Sequence, residues 1–159
     1  MKRAIKIIVI ALFAGFAALQ FIRPDMTNPP VAVELTLEAT TEVPENVRRI
    51  LTRSCADCHS HDTVYPWYTN IQPSGWFQDW HIREGRAELN LSEWAKLEDR
   101  RKKRKLEEIC EQVETREMPL VSYLWIHRDA RMSDEEIRLV CDWTKAEIAR
   151  LSAADADRE

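Results

Sequence analysis

Cys55-Ala56-Asp57-Cys58-His59 is the stretch from which the rest of this chain is read. Two cysteines separated by two residues, with a histidine directly after the second, form the pattern for covalent attachment of a c-type haem. The two intervening residues set the span between the porphyrin vinyl groups that the thiols meet. The histidine that follows brings its imidazole to the iron. Three other readings are weaker. Zinc needs two more ligands, and His61, His81, Cys110 and Cys141 supply no second paired motif. A thioredoxin-like pair belongs between a strand and a helix, a setting absent here. A disulfide between Cys55 and Cys58 leaves the adjacent histidine unexplained.

Outward from the motif, the periodicity is helical. Val47, Ile50, Leu51 and Ser54 recur at helical spacing after Pro44, so a helix leads into Cys55. Ser74 is placed to cap a second helix carrying Trp76, Phe77 and Trp80, and Ser92 a third that buries Trp94 and Leu97. Leu106, Ile109, Cys110 and Val113 stripe a fourth, stopped by Pro119. Ser133 with Glu136 reads as a capping box before a last helix bearing Ile137, Val140, Cys141, Thr144, Ile148 and Leu151. The chain has only three glycines and no alternating runs, so the expected fold is all-α. Residues 43–152 form its domain, small for a core of side chains alone. A haem adds a large apolar surface for these helices to enclose.

The N-terminus reads as an address. Lys2, Arg3 and Lys6 precede an apolar run to Ile22, close to the ~20 residues of a membrane span. Residues 1–23 are therefore expected to be a single uncleaved transmembrane helix in the inner membrane, with the domain in the periplasm. A cleaved leader ending near Gly15-Phe16-Ala17 is the competitor. Residues 24–42, with Asn28-Pro29-Pro30, read as an extended linker, and residues 153–159 as a fraying tail. The net charge of −4 conceals an asymmetry: residues 24–159 hold 19 basic and 27 acidic side chains. An acidic body excludes general nucleic-acid binding and favours redox partners with a basic face.

The iron's other axial position has one leading candidate. Met118 stands at a helix exit before Pro119, where its soft thioether suits haem iron. His81 is its main rival, followed by His61, His127 and Met132. Either Pro66 or Pro73 is positioned in sequence to offer a carbonyl to the second nitrogen of His59. Arg83 and Arg86 are candidates for the haem propionates, with surface pairing to Glu84 and Glu88 as the alternative. The basic run over residues 100–105 reads as a solvated helix face. Cys110 and Cys141 are read as buried thiols in preference to a disulfide.

Several stretches together resemble the bacterial haem-binding domain family. They are Phe21-Ile22-Arg23-Pro24, Asn28-Pro29-Pro30, Ser54 through Ser60, Tyr65-Pro66-Trp67-Tyr68, His81-Ile82-Arg83-Glu84-Gly85-Arg86, Leu89 through Trp94, Met118-Pro119-Leu120 and Tyr123. The resemblance implies a cytochrome c-like helical domain around one haem c, bound covalently through Cys55 and Cys58 with His59 on the iron. Met118 completes the expected His/Met pair. The function expected is one-electron transfer to unidentified redox proteins, without enzymatic activity. The alternative is a labile or open sixth position serving a peroxidase-like enzyme or a gas or redox sensor.

Overall fold

A computed structural model describes residues 1–156, and every regular element among them is helical. In chain order these are α1 (Lys2–Leu19), α2 (Leu37–Thr40), α3 (Glu45–Ser54), α4 (Ala56–His59), α5 (Ser74–Glu88), α6 (Asp99–Glu114), α7 (Val121–Leu124) and α8 (Asp134–Ala156). Short 3-10 turns lie at Val33–Leu35, Trp67–Asn70, Leu91–Lys96 and Arg128–Ala130.

The core is built by α3, α6 and α8. Each buries the stripe its spacing dictates: Val47, Ile50 and Leu51 from α3, Leu106, Ile109 and Val113 from α6, Ile137, Val140 and Leu151 from α8. Trp94 from a 3-10 turn and Leu37 from α2 close the remaining side. The contacts Arg116–Asp134, Cys110–Cys141 and Lys103–Asp155 show that α6 and α8 run antiparallel. Cys110 and Cys141 are bonded to each other as a disulfide. The buried-thiol reading is corrected, because packing α6 on α8 brings their Cα atoms to 4.8 Å, a separation sequence cannot supply.

The capping box forms as read. The Ser133 N–H donates to the Glu136 carboxylate (2.8 Å) and the Glu136 N–H to Ser133 Oγ (3.2 Å). Arg53 of α3 adds an ion pair to Glu136 at 2.8 Å. The hydrogen bond from Ser133 and the Arg53 charge hold the Glu136 carboxyl below its usual range. A lowered folded-state pKa contributes stability above the unfolded pKa and loses it as pH falls through the folded one. Glu136→Gln keeps the cap's acceptor but removes its charge, and is therefore expected to lower stability at neutral pH by about 0.5 kcal/mol, read as a lower urea midpoint, with the difference vanishing in acid.

Three readings change. No helix among the described residues is long and apolar enough to cross a membrane. The transmembrane helix, and with it the single-pass inner-membrane location with a periplasmic domain, is corrected. Lys2, Arg3 and Lys6 occupy three of the 18 positions of α1. The uncharged stretch within it, residues 7–19, rises only about 20 Å against a hydrocarbon core of about 30 Å. Beyond Leu19 the chain turns off and joins the body: Gln20 exchanges two hydrogen bonds with the backbone of Gln72, and Trp76 Nε1 donates to the Ile22 carbonyl. Second, residues 24–42 are not extended throughout, since a 3-10 turn and α2 form from Val33 and Leu37 enters the core. Third, the helix expected from Ser92 is a kinked 3-10 turn capped by Asn90. Ser92 Oγ instead accepts the His61 N–H. Of the expected tail, residues 153–156 continue α8; residues 157–159 lie outside the described residues.

Candidate functional site

The motif sits where α3 stops. Cys55 leaves helical geometry (φ −127°, ψ −39°), and α4 winds a single turn in which the Cys58 and His59 N–H groups both donate to the Cys55 carbonyl. Below this turn lies α5. Gly85, one of three glycines in the chain, permits the approach: a Cβ there would stand 2.6 Å from the Cys58 carbonyl oxygen. A dense set of bonds then fixes the loop that follows. Arg86 donates to the Ser60 carbonyl, Thr63 Oγ1 and Asn28 Oδ1, while Asn28 donates to the Thr63 carbonyl. Asp57 accepts from the Val64 N–H and from Tyr123 Oη.

His59 is held by α5. Its Nδ1 lies 2.9 Å from the Gly85 carbonyl and 3.0 Å from that of Leu89. A carbonyl can only accept, so Nδ1 carries the proton and Nε2 keeps its lone pair. Burial further lowers the His59 pKa, which favours the neutral imidazole. The proline carbonyls expected for this role are thus replaced by those of Gly85 and Leu89. Burial also raises the two thiols, Cys55 to about 12 and Cys58 to about 11, so both are protonated at neutral pH.

Around these residues opens a cleft of about 660 Å³, its mouth included, walled by Cys55, Cys58, His59, His81, Met118 and Tyr123 among others. Its lining comes from α4 and α5, which pack together, and from the separate segment running from Met118 into α7, which packs on the Arg128–Ala130 turn. A second cleft of about 670 Å³ adjoins it across Asp57, Cys58, His81, Leu120 and Tyr123.

The histidines sort by their lone pairs. His61 Nε2 is bonded to Asn90, and His127 Nε2 to Tyr68 Oη. His81 donates from Nδ1 to the Phe77 carbonyl at 2.7 Å, so its Nε2 stays available, and it borders both clefts. Met132 is buried in the core, away from either cleft. Of the five residues considered for the second axial position, only Met118 and His81 reach the first cleft.

This donor set fits a haem. It combines two free thiols three positions apart in the chain, an oriented imidazole with a free Nε2, and a methionine in the lining of the same apolar cleft. It does not fit zinc. The one grouping of metal-ligand atoms among the described residues is Cys110, Glu114 and Cys141, and its two sulfurs are joined to each other. The aromatic residues divide: Tyr68 and Phe77 line the second cleft, while Trp67 is 75% exposed. The basic run is a paired helix face, with Lys102 on Asp99, Lys103 on Asp155, and Lys105 between Glu88 and Glu108.

Sequence reasoning gave no role to Asp57, Gln78 or Gly85. Gly85 had a signal, since a lone glycine inside a helix costs stability unless something approaches it closely. Gly85→Ala reverses the usual sign: alanine stabilises most helix interiors, but here the added Cβ meets backbone. The expected loss is about 1–3 kcal/mol, read as a lower melting temperature together with a smaller yield of haem-loaded protein.

The model of the haem-binding domain family matches residues 14–146. No curated protein and no solved structure matches the chain.

Proposed function

The chain belongs to the haem-binding domain family, and from that premise we propose that it is a one-electron carrier holding a single haem c. When bound, the haem supplies the ferric/ferrous couple. Cys55 and Cys58 would hold it through thioether bonds to its vinyl groups, and His59 would ligate its iron through Nε2, oriented by the Gly85 and Leu89 carbonyls. The observation that carries this reading is that bonded Nδ1, which leaves Nε2 free beside both motif thiols.

Met118 would be the second ligand: it lines the same cleft as His59 from a separate segment of the chain, whereas His81 lies on α5, which already supplies the Gly85 carbonyl that holds His59. A soft thioether favours ferrous iron and raises the potential. A second reading follows from the free Nε2 of His81: should the sixth position be labile, His81 is the residue able to exchange protons with a ligand there. The Cys110–Cys141 disulfide supports operation in an oxidising compartment, and the acidic balance of the body supports redox partners with a basic face.

The test is covalent attachment. After expression in a host that matures c-type haem, the wild-type haem is expected to stay with the denatured protein through acid-acetone extraction. Cys55→Ser combined with Cys58→Ser is expected to release it completely. A freely extractable wild-type haem would sink the proposal.

A further inference from the structure

The two adjoining clefts differ in charge. The first is bordered by Glu84 and Glu88 as well as the motif cysteines. The second has Asp57 as its sole acidic lining residue, with both carboxylate oxygens occupied by Val64 N–H and Tyr123 Oη. The second cleft is otherwise apolar, through Phe77, Ile82 and Ile126, with convergent neutral donors. Ser74 and Ser122 line it, and neither hydroxyl has a hydrogen-bond partner among the described residues. Gln78 gives one amide hydrogen to Tyr68 Oη and keeps the other.

Arg83 and Arg86, the cations that sequence offered, and Lys105 are engaged elsewhere. Arg83 pairs with Asp79 at 2.7 Å. Arg86 holds Ser60, Thr63 and Asn28. Lys105 lies between Glu108 and Glu88. A haem tethered at Cys55 and Cys58 carries its two propionates on the pyrroles away from the thioethers. At the first cleft two carboxylates would meet the like charges of Glu84 and of Glu88, the latter only partly offset by Lys105. Towards the second cleft, which Cys58 also borders, they meet free donors. The polarity of α5 agrees: its first two turns, with Ser74 and Gln78, line the second cleft, and Glu84, Gly85 and Glu88 near its end line the first.

We propose that the second cleft is the propionate site, with Ser74, Gln78 and Ser122 as neutral hydrogen-bond donors in place of Arg83 and Arg86. The proposal rests on the haem c reading. It makes these three residues anchors of the cofactor's charged edge, acting by hydrogen bonding to carboxylate rather than by ion pairing.

Resonance Raman spectroscopy of the full-length haem-loaded protein tests it, because the propionate-bending band reports hydrogen bonding to those carboxylates. Gln78→Leu, and separately the Ser74→Ala/Ser122→Ala pair, are expected to shift that band and leave the iron-ligand bands in place. Arg83→Ala is expected to leave it unmoved. Either donor variant suffices if the other folds poorly, with circular dichroism as the check. A band that moves in Arg83→Ala alone, or in none of the variants, overturns the proposal. Wild-type protein without covalent haem overturns the underlying reading instead, so the two failures are distinct.

Discussion

Met118→Ala is expected to keep the haem covalently bound and abolish the far-red thioether-to-iron band of the oxidised protein. Met118 lines the same cleft as His59 and makes no bond to it, so its removal leaves the imidazole's bonds to Gly85 and Leu89 untouched. Without its thioether the sixth position is expected to open. Carbon monoxide binding to the reduced protein is expected to rise from undetectable to stoichiometric, and the potential to fall, since a soft ligand to ferrous iron is lost. His81 decides how the result is read. If Met118→Ala stays low-spin and excludes carbon monoxide until His81→Ala is added, His81 has taken the vacated position. If the far-red band survives Met118→Ala, Met118 is not the ligand.

The second large effect belongs to the scaffold. Cys110→Ala with Cys141→Ala removes a cross-link between residues 31 apart in sequence. Loop-closure entropy returned to the unfolded chain amounts to about 3–4 kcal/mol, a fall of roughly 10–15 °C in melting temperature for a domain of this size. What remains between α6 and α8 is the apolar seam of Leu106, Ile109 and Val113 against Ile137 and Val140. The ion pairs of Arg116 with Asp134 and of Lys103 with Asp155 flank it and are partly exposed, so they contribute little. Wild-type protein unfolded under strong reductant is expected to match the double variant. Equal melting temperatures for oxidised wild type and double variant would show that the cross-link adds nothing.

These two experiments probe different layers. The first reads a ligand whose place depends on the segment from Met118 into α7; the second reads the helix pair that supports it. Residue 116 links them. Arg116, with φ of 60°, ends α6 in the left-handed region and bonds both the Met132 carbonyl and Asp134. The turn that delivers Met118 is thus fastened to the start of α8.

Local patterns were legible where the local chain decides the outcome. The stripe of α3 and the capping box at Ser133 and Glu136 each lie within one or two helical turns, where spacing alone sets geometry. The misreadings all concern partners distant in sequence. The run from Ile7 to Ile22 looks like part of one span until Gln20 is seen bonded to Gln72 and Ile22 to Trp76. Ser92 looks like a cap until His61 claims its hydroxyl. Arg86 looks free for an anion until Ser60, Thr63 and Asn28 claim its donors.

By itself, then, the sequence determined which groups this protein can offer a haem: two thiols and a histidine in one short stretch, in a helical chain with a methionine at a helix exit. Those properties reside in residue identity and short-range periodicity. Only the tertiary structure decided how the chemistry is poised. It chose Gly85 and Leu89 to orient His59, joined Cys110 to Cys141, engaged the lone pairs of His61 and His127, and shortened the apparent membrane span. Each of those outcomes depends on which groups become neighbours when helices pack, and hydrogen-bond partners and burial across that distance leave no trace in local spacing.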